Sequence, residues 1–383
     1  MKILITTDLY TVTTNGVVTS VRNLYEVLTR SGHEVRILTL SENGRSRKEG
    51  PVYYIRSVSL DRIYPQVRMP TSFRHRLIRE LVRWKPDVIH SQCEFFTFQY
   101  AQRISKLTGA PIVHTYHTLY EQYAGYLFKS RRLGRRVVRI LSRNRLKRVT
   151  RVIAPTRKVE TALRDYGLKN PICIVPSGIN LEQHKHCISP RERLERRHAL
   201  GIADNSFVLL NLGRLGTEKN LCELLTLFAA AHKDEPDLVF LIVGDGPARS
   251  QLMQQCADLH IEDSVVFTGM VDPRQVHCYY QLADLFVSAS TSETQGLTYV
   301  EAAANGLPLL CREDPCLQEV LLPGQNGYTY TDPASFTDAL WKILDDPTWR
   351  RSAGEKSRRI ADQFDKSTFG KTVESVFDSV LKL

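Results

Sequence analysis

No stretch of this 383-residue chain approaches the roughly 18 uninterrupted apolar residues of a membrane-spanning helix. The opening segment, MKILITTDLY, stays apolar for only about five residues before Asp8, too few for a secretory leader. A cytoplasmic protein is expected. The eight cysteines are scattered and include no Cys-x-x-Cys pair, so reduced, mostly buried thiols are expected rather than a disulfide framework. His184, His186 and Cys187 lie together, but no second ligand pair follows at zinc-like spacing, and a loop with incidental histidines is the simpler reading. Neither an internal repeat nor a low-complexity tract is present, which excludes a solenoid and extensive disorder. A nicotinamide oxidoreductase would want Gly-x-Gly-x-x-Gly after its first strand, and NGVVTS stands there from Asn15.

What is present fits two ordinary domains. The chain is too long for one compact core, and 42% hydrophobic with 24% charged residues is normal for a folded protein. The net charge of +11 is unevenly spread. Residues 1–180 hold 32 Lys and Arg against 12 Asp and Glu, whereas residues 181–383 hold 20 against 29. A partner attracted by positive charge therefore belongs to the first half.

Short runs rich in Val and Ile alternate with longer amphipathic stretches. KILIT from Lys2, EVRILTL from Glu34, DVIH from Asp87, PIVHT from Pro111, RVIAPT from Arg151 and ICIVPSG from Ile172 read as buried parallel strands. FVLLNLG from Phe207, LVFLIVGDG from Leu238, SVVFTG from Ser264, DLFVSAS from Asp284 and LPLLC from Leu307 repeat the rhythm. Two such series predict an α/β protein of two Rossmann-like, doubly wound domains. The boundary is expected near residues 176–190, where Pro, Gly and Ser gather, giving domains over 1–178 and 179–362. Phe369, Val373, Val376, Phe377 and Val380 recur at helical spacing, so residues 363–383 read as an amphipathic helix.

In open α/β sheets, ligands sit beyond the carboxyl ends of the strands. Asn15-Gly16 falls at the turn after the first strand, where Gly16 would let a ligand approach the backbone and the following helix offers free N–H groups. An ordinary turn explains that glycine equally well. After FVLLNLG, Arg214 and Lys219 stand with a glycine between them. That suits a diphosphate, because Arg binds two phosphate oxygens at once and Lys adds a point charge. A solvated basic loop fits as well. Farther on, Gly296 marks the turn after DLFVSAS, and LTYVEAAANG predicts a short helix closed by Asn305-Gly306 with Pro308 beyond. The amides of Gly296, Leu297 and Thr298 would face the strand-end crevice and hold a phosphate. Glu293 before this helix and Glu301 within it are placed to accept hydrogen bonds from sugar and ribose hydroxyls. Helix-terminus charge and a solvated helix position are the plain alternatives. His117 stands just past PIVHT, with structural and ligand-facing roles both open, and His114 reads as facing the sheet.

Glu293, seven residues and Glu301 resemble the signature of the family 4 retaining glycosyltransferases of the GT-B fold. GRLGTEKN from Gly213, VGDGP from Val243, FTG from Phe267, PSGIN from Pro176 and NGVV from Asn15 resemble further segments of that family, in its order along nearly the whole chain. The resemblance implies two Rossmann-like domains facing a central cleft, the first for the acceptor and the second for a nucleotide sugar. It leaves room for the C-terminal helix to cross back to the first domain. It implies that Arg214 and Lys219 neutralise the donor diphosphate, that Glu293 binds sugar hydroxyls and that Glu301 binds the ribose. Gly16 would lie against the donor phosphate and His117 over the donor sugar. Arg214, Lys219, Glu293 and His117 are thereby the expected catalytic residues, with Gly16, Gly296, Leu297, Thr298 and Glu301 completing the donor site. No obligatory metal is implied, and the sequence has no Asp-x-Asp pair.

Within the family, TTDLYTVTTNGVVTSVRNL, HSQCEFFTF and SETQGLTYVEA look most like bacterial 1,2-diacylglycerol 3-alpha-glucosyltransferases. That implies retaining transfer of glucose from UDP-glucose to diacylglycerol at the cytoplasmic membrane face, with Glu94 and Phe95 near the acceptor. A second-step enzyme acting on a monoglycosyl lipid, a transferase with a soluble polysaccharide acceptor and a non-catalytic sugar-nucleotide-binding protein are the other readings. Residues 129–151 carry eleven basic residues and no acidic one, with Leu133, Val137, Ile140 and Leu141 at helical spacing. A basic amphipathic helix is expected at an anionic membrane surface; the alternative docks the apolar stripe on its own domain. RMPTSFRHRLIRELVRWK from Arg68 adds to the basic surface. No nucleic-acid motif accompanies it, so nucleic acid is not an expected partner.

Overall fold

The computed structural model describes residues 1–10, 15–60, 67–122 and 130–382. The chain forms two compact units, Met1–Gly178 with Lys366–Leu383, and Ile179–Asp365. Among the described residues, the first unit holds strands β1 (Lys2–Thr6), β2 (Glu34–Ser41), β3 (Arg47–Glu49), β4 (Val52–Ser59), β5 (Arg68–Pro70), β6 (Val88–Ser91), β7 (Ile112–Thr115), β8 (Arg151–Ala154) and β9 (Ile172–Ile174). Its helices are α1 (Gly16–Arg30), α2 (Arg76–Trp84), α3 (Phe96–Thr108), α4 (Arg131–Leu146) and α5 (Arg157–Asp165). The sheet runs β3-β4-β2-β1-β6-β7-β8-β9, with β5 alongside β4. The pairs are parallel except at the β3–β4–β5 edge. Both sheet faces are covered: Leu4 of β1 joins a core with Leu38 and Ile89, while Ile3 and Ile5 join the opposite core with Val21 and Ile37.

The second unit begins with helices α6 (Leu181–Lys185) and α7 (Pro190–Ala199). Six parallel strands follow: β10 (Phe207–Leu212), β11 (Leu238–Val243), β12 (Val265–Gly269), β13 (Leu285–Ser288), β14 (Leu309–Arg312) and β15 (Gly327–Tyr330). Helices α8 (Leu221–His232), α9 (Arg249–Asp258), α10 (Val276–Leu282), α11 (Leu297–Ala304), α12 (Pro333–Asp345) and α13 (Pro347–Ala361) cover the faces. The strand order is β12-β11-β10-β13-β14-β15. It is the doubly wound dinucleotide-binding order, and the winding reverses between β10 and β13.

All eleven expected strands are present, and the described residues hold four more that the sequence does not predict. β4 mixes Tyr, Arg and Ser into its run and loses burial toward its end at the sheet margin. β3 and β5 are three-residue edge strands, and β15 is a short GYTY segment after the turn at residues 324–326.

The last helix, α14 (Lys366–Leu381), belongs to the first unit. Phe369, Val373, Val376, Phe377 and Val380 form its buried face and share a core with Ile3, Ile5 and Val21. Lys366 pairs with Glu26 at 2.8 Å, and Glu374 meets His33 at 2.9 Å. Removing a buried phenyl ring costs about 3–5 kcal/mol. Phe377→Ala is therefore expected to speed hydrogen exchange in β1 and β6 and leave β10 and β11 unchanged. Unaltered protection in β1 would show that α14 does not support this unit.

Candidate active site

The loops that leave β10 and β13 flank the reversal point of the second sheet. Beyond β10 the backbone of Gly213 donates to Val243 and that of Leu215 to Asp245, both at 2.9 Å, which zips this loop to the one after β11. Gly244 permits the approach, since a Cβ there would overlap the Gly213 carbonyl. The chain then turns through Thr217–Lys219 into α8. Ser292 Oγ donates to the Glu218 carbonyl at 3.1 Å, joining this turn to the loop after β13.

Two ion pairs occupy this junction. Arg214 pairs with Glu218, whose carboxylate is buried, and Lys219 pairs with Glu293. Ser290 Oγ also donates to Glu293, at 3.3 Å. Each expected cation is thus already matched by a carboxylate. Arg has five donors and Lys three, so neither is exhausted by one partner. Glu218 was not expected; its only signal was its place four residues after Arg214.

Gly296 caps α11 in the left-handed conformation, φ 74°. A side chain there would overlap the Tyr299 ring, whose hydroxyl lies 3.1 Å from Ser288 Oγ. Among the described residues, no acceptor reaches the amides of Gly296, Leu297 and Thr298. Three free amides at a helix N-terminus form an anion site. At the other end, the amides of Gly306 and Leu307 return to Ala303 and Ala302, closing the helix as the Asn-Gly signal predicted.

Glu301 lies one turn inside α11 and is half-buried. Tyr280 of α10 donates to its Oε2 at 2.8 Å, and no cation pairs with it among the described residues. Burial raises its pKa to about 7, with the Tyr280 hydrogen bond opposing the shift. Asn305 donates to the Glu301 carbonyl at 2.8 Å and contacts His184 Nδ1 at 2.9 Å. Burial lowers the pKa of His184 to about 4, so the ring is neutral near pH 7. His184 is buried in α6, a short helix where a loop was expected, with its ring against Asn305. Among the described residues, no group of three or more His, Cys, Asp or Glu is placed to hold a metal ion.

In the first unit, Gly16 opens α1, and Asn15 caps it by accepting from the Val18 amide at 2.9 Å. Asp8, which follows β1, accepts from the amides of Thr97 and Phe96 at 2.8 and 3.3 Å and so caps α3. His117 Nε2 lies 2.6 Å from Gln92 Oε1, and Gln92 in turn contacts His90. Burial, with His114 nearby, pushes the His117 pKa down to about 3, so this ring is neutral at working pH. Glu94 is buried, with its two oxygens held by His114 at 3.1 Å and Tyr120 at 2.7 Å. Phe95 is exposed and packs edge-on to Tyr120. The predicted residues therefore form two groups. Arg214, Lys219, Glu293, Gly296, Leu297, Thr298 and Glu301 gather in the second unit, while Gly16, Glu94, Phe95 and His117 lie at strand ends of the first.

Helix α4 answers the question about its apolar stripe. Leu133, Ile140 and Leu141 are 58%, 44% and 53% exposed, while Gly134, Ser142 and Leu146 face inward. Three of the four expected stripe residues are thus exposed, and Val137 is half-buried. Helix α2 behaves differently, burying Leu77, Ile78, Leu81 and Trp84 and exposing Arg76, Arg79 and Arg83. No helix among the described residues is long and apolar enough to cross a membrane.

Two doubly wound units, with paired glutamates around a helix N-terminus at a reversal point, define a glycosyltransferase of the GT-B class. A family model described as Glycosyltransferase Family 4 matches residues 14–183, and one described as Glycosyl transferases group 1 matches residues 192–360. The chain is similar to the alpha-monoglucosyldiacylglycerol synthase of Streptococcus pneumoniae, 35% identical over 346 residues, covering 90% of this chain and 78% of that protein. It is also similar to the synthase of the same name from Acholeplasma laidlawii, 28% identical and covering 98% and 96% of the two chains. Among solved structures, Anabaena HepE in complex with UDP-glucose superposes with a TM-score of 0.78 at 20% identity, over 99% of this chain and 100% of that one. The chain belongs to the family 4 glycosyltransferases and is a hexosyltransferase.

The Glu301 carboxyl has a stability consequence. Its folded pKa of about 7 lies above the ordinary 4.5. The unfolded chain therefore releases this proton more readily, and the stability present below pH 4.5 is lost as pH rises toward 7. Glu301→Gln, which stays neutral, is expected to melt about 2–5 °C above the parent at pH 8 and near it at pH 4.5. Equal melting temperatures at pH 8 would count against a desolvated carboxylate.

Proposed function

We propose that the enzyme transfers glucose from UDP-glucose to diacylglycerol with retention, forming an α-glucosyl diacylglycerol as a peripheral protein on the cytoplasmic face of the membrane. The observation that carries this reading is the similarity, over most of both chains, to two proteins named alpha-monoglucosyldiacylglycerol synthase. The exposed apolar stripe of α4, set among Arg132, Arg136 and Arg139, supports the membrane assignment. Apolar side chains would enter the headgroup boundary while the guanidinium groups meet anionic lipid.

In this reading the donor diphosphate lies against Arg214, Lys219 and the free amides of Gly296, Leu297 and Thr298. Glu301 accepts from the ribose and Glu293 from the glucose hydroxyls. Gly16 lets the donor phosphate approach α1, and neutral His117 serves as a hydrogen-bonding group over the sugar, not as a proton donor. Glu94 holds Tyr120 beside the acceptor, and Phe95 offers it an apolar surface. The acceptor hydroxyl attacks the anomeric carbon from the face that the diphosphate leaves, through an oxocarbenium-like state. The departing phosphate takes the hydroxyl proton, while fixed cations and amides stabilise its growing charge. No metal is required by these steps.

Incubation with UDP-glucose and diacylglycerol in anionic mixed micelles is expected to yield the α-glucolipid. Product only on a soluble sugar, or only on a monoglycosyl lipid, would overturn the acceptor; a β-linked product would overturn retention. Arg214→Ala or Lys219→Ala should lower kcat/KM by about 2 kcal/mol or more, roughly thirtyfold. A change within twofold would remove the assigned role. A Leu133→Ser, Ile140→Ser, Leu141→Ser triple variant should bind anionic liposomes about tenfold or more weakly, since each lost side chain forfeits over 1 kcal/mol of burial. Unchanged sedimentation would end the case for α4 as the membrane contact.

A further inference from the structure

The Glu301 carboxylate has an unusual set of neighbours. It is half-buried, and among the described residues neither an arginine nor a lysine pairs with it. A carboxylate so placed is costly unless hydrogen-bond donors surround it. Among the described residues one donor reaches it, the Tyr280 hydroxyl at 2.8 Å, and that bond goes to Oε2. Oε1 is left without a donor. A carboxylate offers about four acceptor positions, so most of its capacity is uncommitted.

Tyr280 is itself firmly placed. Its ring is fully buried on α10, tilted against Phe286 with centroids 6.2 Å apart and edge-on to His184 at the same distance. The hydroxyl also lies 3.4 Å from the Thr298 carbonyl in the first turn of α11. Burial and the neighbouring carboxylate hold the phenol pKa well above 10, so it remains a donor. The far end of α11 is pinned independently by Asn305, which is bonded to the Glu301 carbonyl and to Gln281 of the same α10 helix.

We propose that Tyr280 is a positioning residue for the donor ribose: it ties down Oε2 of Glu301 so that Oε1 receives the ribose hydroxyls, and so makes the site select a ribonucleotide over a deoxyribonucleotide. The proposal rests on the reading of Glu301 as the ribose acceptor. Without the phenol hydroxyl the carboxylate is free to rotate, and a hydroxyl from the ligand must order it on arrival. The cost falls on binding the ribose and not on the bond-breaking step.

The test compares UDP with 2′,3′-dideoxy-UDP by calorimetry on the parent enzyme and on Tyr280→Phe, and measures UDP-glucose kinetics on both. The parent should bind UDP at least about tenfold more tightly than the dideoxy form, as expected when buried acceptors lose their donors. Equal affinities in the parent would remove the ribose reading of Glu301, and this proposal with it. Given discrimination in the parent, Tyr280→Phe should reduce it by about fivefold, raise KM by a similar factor and change kcat by less than about twofold. Full discrimination in a folded Tyr280→Phe enzyme would overturn the positioning role while leaving the ribose reading intact. Tyr280→Leu, which keeps an apolar side chain in the buried site and carries no hydrogen-bond donor, serves as the second variant. Discrimination retained there too would overturn the proposal in the same way.

Discussion

Lys219 and Glu293 meet across the line where the second sheet reverses its winding, and the site is organised around that ion pair. β10 and β13 diverge in their connections at this line, so the two loops need something to hold them together. The ion pair does so, aided by Ser292 on the Glu218 carbonyl. It also solves an electrostatic problem. Two cations and free helix amides concentrated in one crevice would repel each other; Glu218 and Glu293 neutralise the cations. In the proposed reading, a diphosphate joins a balanced, ordered cluster, which keeps reorganisation small.

Glu301 stands apart from this scheme. Glu293 is matched by a cation and Glu301 by a phenol. One glutamate is thus held in a salt-bridged pair, and the other sits where burial makes ionisation costly. Their identical spacing signature hides opposite surroundings.

The regular strands were legible because the fold buries both faces of each sheet, and such strands must be near-continuous runs of Val, Ile and Leu. β4 escaped notice because it approaches the sheet margin and carries Tyr, Arg and Ser. Arg214, Lys219 and Glu293 could be nominated from the sequence because each follows a strand end, and Glu301 because it lies in the helix that follows β13. Glu218, Tyr280 and Gln92 could not, because their meaning depends on partners distant in the chain, such as Glu301 for Tyr280 and His117 for Gln92. The stripe on α4 was visible as a pattern, yet periodicity alone does not say whether an apolar face turns inward. Only the exposure of Leu133, Ile140 and Leu141 decides it.

The return of α14 to the first unit sets an order on biosynthesis. The core formed by β1 and α1, which precede the second unit in the chain, is closed by Phe369, Val373 and Phe377. During vectorial synthesis, a growing chain can complete the second unit while the first still exposes one apolar sheet face. Domains that lie contiguous in sequence fold as they emerge. Here the first unit must wait, and it reaches its final packing only after the intervening Ile179–Asp365 and α14 have left the ribosome.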